Sequence, residues 1–328
     1  MRSRTLAGLT LAIMADETGW HTRQLQAALR ARGCVGRCVD LADCRIDTTA
    51  AWHGLVIPGF GRELPDAALV RGIAGGTFEQ VTKRLGVLHA LRELGVPVYN
   101  DARAIERSVD KSMTSLLLHA ARIPTPPTWA TESQAQARRI VMREGAAGHV
   151  LVLKPLFGSQ GKGLQLVGHV DGVQHPLPDI EKVCGSLAYL QRFVPPLTTP
   201  GFDWRVLVVG GRAVTAMRRV STHWVHNVAQ GARCEPAELA PELAQLAEGA
   251  ARALGMDYAG VDLIASPAPA ASGAAPGIQV LEVNGVAAWQ GLQRVTSFNI
   301  ARAIVDDLLD RKLVTVSAGV RSIASRRA

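Results

Sequence analysis

The first hundred residues constrain the fold most tightly, because short apolar runs alternate there with stretches of helical periodicity. Residues 6–14 (LAGLTLAIM) read as a strand, and Trp20 to Arg32 as a helix closed by Gly33. Residues 35–41 and 54–57 read as further strands, the second stopped by Pro58-Gly59. Between Phe78 and Leu94, the residues Val81, Leu85, Leu88, Leu91 and Leu94 recur every three or four positions, which predicts a helix ending at Gly95. Val96 to Tyr99 follows as a strand. Strands separated by helices are joined by crossovers, so residues 1–100 predict a small parallel-sheet α/β domain.

After Asn100 the pattern changes. Helices are expected over 112–121, 133–144 and 241–254, and strands over 149–154, 187–193, 204–209, 213–219, 258–264 and 278–283, with 163–167 completing a hairpin. The segment 123–127 (IPTPP) is an extended boundary. The segment 266–277 (SPAPAASGAAPG) is too rich in Pro, Ala, Gly and Ser to hold fixed structure. A closing helix spans 297–310 with Ser297 as its cap. The expected division is 1–100, then a lobe over 101–190, a lobe over 191–312, and a frayed basic tail over 313–328.

Three separated elements carry the chemistry. Asp110-Lys111 opens a helix. A strand ends in Lys154-Pro155 and runs into Gly158-Ser-Gln-Gly-Lys-Gly163. Asp262 lies in GVDLIA, and Glu282 and Asn284 lie in VLEVN. Strand side chains alternate, so Glu282 and Asn284 point the same way, and Asp262 on a neighbouring strand can join them. Two carboxylates and an amide oxygen form a hard-oxygen set suited to Mg²⁺ or Mn²⁺ with bound phosphates. The other reading is that buried arginines pair with Asp262 and Glu282, since a buried acid needs compensation. Asn284 in register favours the metal. The glycine stretch is not a P-loop, because neither Ser nor Thr follows its Lys and no helix is expected after it. Its bare N–H groups can still close over phosphates, with Lys154 adding charge beside them.

Together these segments resemble the ATP-grasp fold, and within it the RimK-like glutamate ligase group. The resemblance covers roughly residues 95 to 310. It rests on the order DK, IPTPPT, LVLKPLFGSQGKGL, YLQRFV, DWRVLVVGGRAVTAMRRV, GVDLI and VLEVN. It implies an α/β (α+β) architecture in which the small parallel-sheet domain precedes a two-lobed grasp. It also implies that Lys111 and Lys154 contact ATP phosphates, that Gly158, Ser159 and Gly161 form a phosphate flap, and that Gln191, Arg192 and Phe193 form the hinge lining the adenine pocket. Family members often carry Glu where Arg192 stands. Asp203 would lie near the ribose, and Asn227 near the triphosphate or the amine. Arg205, Arg218 and Arg219 would face the substrate carboxylate and the transferring phosphate. Asp262, Glu282 and Asn284 would hold two Mg²⁺ or Mn²⁺ ions.

The activity implied is ATP-dependent amide formation through an acyl phosphate. It would add L-glutamate to a carboxylate-bearing acceptor such as a tetrahydromethanopterin or methylofuran type cofactor. A peptide ligase of the D-Ala–D-Ala or glutathione-synthetase kind shares the grasp and differs in the amine site. An ATP-binding sensor that no longer ligates is a reading of another class, and the complete Asp262, Glu282 and Asn284 set argues against it. A homo-oligomer, dimer or tetramer, is implied by resemblance.

Composition narrows the partners. Across 328 residues, 48% are hydrophobic and 20% charged, which is ordinary for a globular chain. The formal charge is +8, but Arg2, Arg4, Arg321, Arg326 and Arg327 sit in terminal segments without Asp or Glu. With no alternation of basic and aromatic residues, nucleic acid is not expected as a partner. No apolar run is long enough for a membrane span. Acidic Asp16 and Glu17 stand where a signal peptide would need small residues, so a cytoplasmic chain is expected. Cys34, Cys38 and Cys44 cluster without a paired zinc spacing and read as buried, inert thiols. In an open α/β sheet ligands bind beyond the carboxyl ends of strands, which makes Asp16, Trp20, His21 and Arg62 candidates for an acceptor site. Trp20 and His21 read equally well as the start of a helix packed on the sheet.

Overall fold

In the computed structural model, which describes residues 8–158, 160–170, 172–267 and 277–314, the N-terminal alternation becomes a parallel sheet. The elements run β1 (Thr10–Met14), α1 (Trp20–Ala31), β2 (Val35–Val39), β3 (Arg45–Ile46), β4 (Leu55–Val56), β5 (Ala67–Val70), α2 (Phe78–Glu93) and β6 (Val98–Tyr99). Among the described residues the parallel strands lie in the order β2-β1-β5-β6. The strand expected over 54–57 is not part of this sheet. β4 forms a two-residue antiparallel pair with β3 instead. The third parallel strand is β5, whose Ala-Ala-Leu-Val run is too short and too poor in β-formers to stand out in the sequence.

The middle of the chain adds α3 (Ala102–Val109), α4 (Lys111–Ala120), β7 (Thr128–Thr131), α5 (Gln134–Ala146), β8 (Leu151–Lys154), β9 (Gln165–Val170), β10 (Val173–His175), α6 (Ile180–Cys184) and β11 (Ala188–Arg192). The strands β10-β9-β8-β11-β7 form an antiparallel sheet backed by α5. β11 crosses the 190/191 division drawn from sequence. α3 and α4 lie within 101–190 in sequence, but their Ala104 and Leu118 pack with α7 under the last sheet, not under the middle one.

The remainder comprises β12 (Gly201–Val209), β13 (Arg212–Ser221), β14 (Arg233–Ala237), α7 (Pro241–Leu254), β15 (Tyr258–Ser266), β16 (Gly277–Asn284), α8 (Gln290–Gln293) and α9 (Ile300–Asp307). These strands form an antiparallel sheet in the order β14-β13-β12-β15-β16. Alternation sends Val206, Val208, Val261 and Leu263 to the α7 side. Leu207, Val209 and Met217 go to the opposite side, where they share a core with Leu11, Ile13, Leu25, Trp289 and Ile304. One apolar core therefore joins the N-terminal sheet to the last one.

Asn100 fastens the same junction. Its side chain accepts from the Asp257 and Tyr258 N–H groups and donates to the Tyr258 and Gly285 carbonyls, at 2.6–2.9 Å.

The last helix is capped by Asn299, which accepts from Arg302 N–H at 3.0 Å, and not by Ser297. Gln293 holds the 296–300 turn through the Phe298 carbonyl and the Ile300 N–H, which delays the helix by two residues. The tail expected from 313 begins inside a continuing helical turn, with Leu313 buried in the shared core. Residues 315–328, like most of the 266–277 linker, lie outside the described residues. Among the described residues no helix is long and apolar enough to cross a membrane.

Candidate active site

A cleft with about 730 Å³ of empty space opens between the middle sheet and the last sheet. On the middle side, β8 directs Leu151 and Leu153 into the lobe's own core, which leaves Val152 and Lys154 facing the cleft. β11 does the same with Leu190 and Gln191. The Lys154 ammonium donates to Gln191 Oε1 at 2.6 Å. Burial pushes the Lys154 amine down to about 8; Lys111 adds to the effect, while Glu282 and Asp262 oppose it.

Across the cleft, Asp262 on β15 pairs in register with Glu282 on β16. The register then slips, so that Val280 faces Leu263 and Leu281 has no residue opposite it. Such a bulge turns two consecutive side chains to one side. Leu281 and Glu282 both line the cleft, whereas Val280 and Val283 are buried in the α7 core. Without the extra residue, the alternation that buries Val283 would bury Leu281 as well.

Asp262, 4% exposed, is held by arginines. Arg205 grips it with two nitrogens, the Nη2 contact being 2.8 Å, and Arg219 Nη2 lies 3.0 Å from Oδ2. Burial alone would push the Asp262 carboxyl up, but Arg205 and Arg219 outweigh it and hold it below the usual carboxylate range. Arg219 forks onto Asp203 as well, at 2.7 and 2.5 Å. The arginine pairing weighed for Asp262 is thus present. Glu282 instead faces Lys111, 3.6 Å from its ammonium.

Asn284 donates to the Gly260 carbonyl at 3.3 Å and lies 3.4 Å from Asp262 Oδ2, leaving its own carbonyl oxygen available. Among the described residues no group of three His, Cys, Asp or Glu could hold a metal. Two carboxylates, one of them already neutralised, and one amide oxygen make no all-protein cage. They suit a hard cation that arrives with phosphate oxygens.

Lys111 is the first residue of α4 because Asp110 caps the helix, accepting from the Ser112 and Met113 N–H groups at 2.8 and 3.0 Å. Its ammonium donates to the Gly158 carbonyl at 2.8 Å, tying the glycine loop to the helix. Gly161 faces the 224–230 segment at φ +68°, and a Cβ there would lie 2.7 Å from Val225. Gln230 reaches over to donate to the Gln160 carbonyl at 3.2 Å. Asn227 also lines the cleft. Ser159 lies outside the described residues.

Three assigned side chains do not sit as expected. Arg218 and Arg219 are consecutive on β13, so they cannot share a face. Arg219 faces the cleft, while Arg218 pairs with Glu235 at 3.0 Å and covers the Phe202 ring. Asp203, which lines the cleft, has both oxygens on Arg219, so it positions that guanidinium. Arg192 donates to Glu144 on α5 at 2.7 and 3.2 Å, so its side chain ties strand to helix. Sequence reasoning missed Leu281, Val152 and Val194, and also Trp224, which meets Phe193 edge to face at 5.8 Å. For Val152 the signal was present, two residues before Lys154 on the same face.

Of the acceptor candidates, Trp20 and His21 begin α1 and pack on Trp289, whose backbone N–H donates to His21 Nε2 at 3.1 Å. Asp16 sits at the carboxyl end of β1 against Gly72. Arg62 is exposed in the loop between β4 and β5. Burial pushes up the thiols of Cys34, Cys38 and Cys44, the last to about 11.

Residues 108–308 match the RimK-like ATP-grasp domain and residues 9–105 the RimK PreATP-grasp domain. The chain belongs to the RimK-like ATP-grasp ligases. The tetrahydromethanopterin:alpha-L-glutamate ligase of Methanosarcina acetivorans is 31% identical over 324 residues, covering 90% of this chain and 97% of that protein. The Methanocaldococcus jannaschii protein of the same name is 34% identical over 247 residues, or 74% and 79% of the two chains. Among solved structures, a RimK domain ATP-grasp protein from Sphaerobacter thermophilus aligns with TM-score 0.63 at 23% identity, covering 92% of this chain and 99% of that one. The ATP-grasp ligase PsnB, solved with minimal precursor, Mg and ADP, aligns with TM-score 0.63 at 21% identity, covering 94% and 98%. These two likenesses establish the fold.

Proposed function

We propose that the protein uses ATP and Mg²⁺ or Mn²⁺ to join L-glutamate to a carboxylate-bearing cofactor of the tetrahydromethanopterin kind. The observation that carries this reading is the meeting of Lys154, Glu282 and the Arg205–Asp262–Arg219 cluster in one cleft, in a chain related along most of its length to ligases of that name.

Adenine sits between the apolar residues of the two walls, Val152 and Val194 on one and Leu281 on the other, with the 191–194 backbone at its edge. Lys154 and Lys111 neutralise the triphosphate, and the N–H groups around Gly161 close over it. Two divalent ions, held by Asp262, Glu282 and Asn284, would neutralise charge on the transferring phosphoryl group. An acceptor carboxylate oxygen attacks the γ-phosphorus, the bond to the β–γ bridging oxygen breaks, and ADP leaves. Arg219 and Arg205, fixed by Asp203 and Asp262, present N–H forks to the acyl phosphate. The glutamate amine attacks the acyl carbon, inorganic phosphate departs, and the ammonium proton goes to solvent. A cytoplasmic site of action and a homo-oligomeric assembly belong to the same reading.

Incubation with ATP, Mg²⁺, L-glutamate and tetrahydromethanopterin tests it. The expected result is phosphate release that requires both acceptor and glutamate, with a product heavier by about 129 Da per residue added. Tight ATP binding without turnover across a panel of acceptors and amines would favour the sensor reading. Light scattering of the purified protein decides the assembly.

A further inference from the structure

The parallel sheet has a second feature that points to a ligand. α1 carries the chain from β1 to β2 on one side, and α2 carries it from β5 to β6 on the other, so the order reverses between β1 and β5. Open α/β sheets bind ligands at the carboxyl ends of strands where the order reverses. Trp20 and His21 follow β1 there, and Arg71 follows β5 directly. The crevice is covered by the segment after β16, with Arg71 Nη1 donating to the Val286 carbonyl at 3.1 Å.

Two buried donors in this crevice lack a hydrogen-bond partner among the described residues, Arg71 Nε and Trp289 Nε1. Trp289 is 1% exposed. Trp289 packs on His21, and the charge of Arg71 acts on the same imidazole. The Trp289 ring lies 4.9 Å from the imidazole and its backbone N–H donates to Nε2. Burial and then the charge of Arg71 push the imidazole down to about 4, so it is neutral with its proton on Nδ1. Arginine and indole N–H groups donate and do not accept, so the group that satisfies them presents oxygen or another acceptor, and the arginine charge selects an anion. The same covering segment reaches the reaction centre, since a Cβ at Gly260 would lie 2.9 Å from Ala287 and 3.0 Å from Arg205.

We propose that this crevice anchors a carboxylate of the acceptor through Arg71 Nε–H and Trp289 Nε1–H, and so directs the rest of the acceptor toward Arg205. The assignment of the ligand as the acceptor rests on the ligase reading above; the carboxylate site itself does not.

Binding and turnover test the two separately. In the full chain labelled with ¹⁵N-tryptophan, with the Trp289 indole resonance assigned by its loss in Trp289→Phe, titration with glutarate shifts that resonance. Neutral glutaramide does not, and Arg71→Met abolishes the response. No shift with glutarate, or equal shifts with both compounds, overturns the site. In the coupled phosphate assay, Arg71→Lys and Trp289→Phe each raise the acceptor KM about tenfold and leave the ATP KM within about twofold. Unchanged acceptor KM in a turning-over enzyme overturns the anchor while the ligase reading stands. A glutarate shift in a protein without turnover supports the site and removes the ligase reading.

Discussion

On the proposed reading, Lys154 couples nucleotide binding to protons. Its amine sits near 8 because burial disfavours the ammonium, whereas a triphosphate beside it favours the ammonium. Above that pH the free protein holds Lys154 neutral, and binding ATP must take up a proton; well below it, the proton is already present. Calorimetry at pH 8.5 in buffers of different ionisation enthalpy should therefore report uptake approaching about one proton per nucleotide, fading below about pH 7 and absent in Lys154→Arg. Binding without proton uptake at the higher pH would contradict this account of the lysine.

The two adjacent arginines on β13 make a second contrast. Arg218→Ala should leave kcat/KM within about twofold, because that side chain lies on the far face with Phe202 and Glu235. Arg219→Lys loses the fork onto Asp203 and Asp262 and should cost at least about tenfold.

The glycine loop and the β15–β16 pair decide the cleft at the scale of elements. At Gly161 the positive φ and the nearby Val225 both exclude a side chain. Gly161→Ala should lower kcat/KM for ATP by about tenfold, from strain of about 1–3 kcal/mol, with the thermal midpoint falling by only a few degrees. An unchanged kinetic profile would mean that the loop does not need this conformation.

The same two elements mark how far the sequence could be read. The antiparallel pairing of VDLIA with VLEVN, and the shared face of Glu282 and Asn284, follow from alternation and were legible. The slip at Leu281 was not, because a bulge leaves no trace in a run of apolar residues, and the cleft-facing leucine went unnoticed with it. Treating Arg218 and Arg219 alike set aside the two-residue period that served well at Glu282. β5 was missed because two alanines carry little strand preference, and the cap at Asn299 because the side chain of Gln293, seven residues before Ile300, decides where the helix begins.

At the scale of the whole molecule, the N-terminal and last sheets share a core, and Asn100 ties them with four buried hydrogen bonds. Asn100→Ala strands two N–H groups and two carbonyls without partners. It should destabilise the fold by about 3–5 kcal/mol, read as a lower urea midpoint; a change under about 1 kcal/mol would show that the tie is dispensable.

The middle sheet has a core of its own and joins the rest through two proline-bearing tethers, 121–127 and 193–200. The first is pinned to β16 where Val280 N–H meets the Pro124 carbonyl at 2.8 Å and Thr125 meets the Val280 carbonyl at 2.9 Å. The tether is therefore fastened to the last sheet as far as Thr125. On the proposed reading, nucleotide exchange needs only the middle sheet to move, while an acceptor held between β1 and Trp289 stays with the two sheets that share a core.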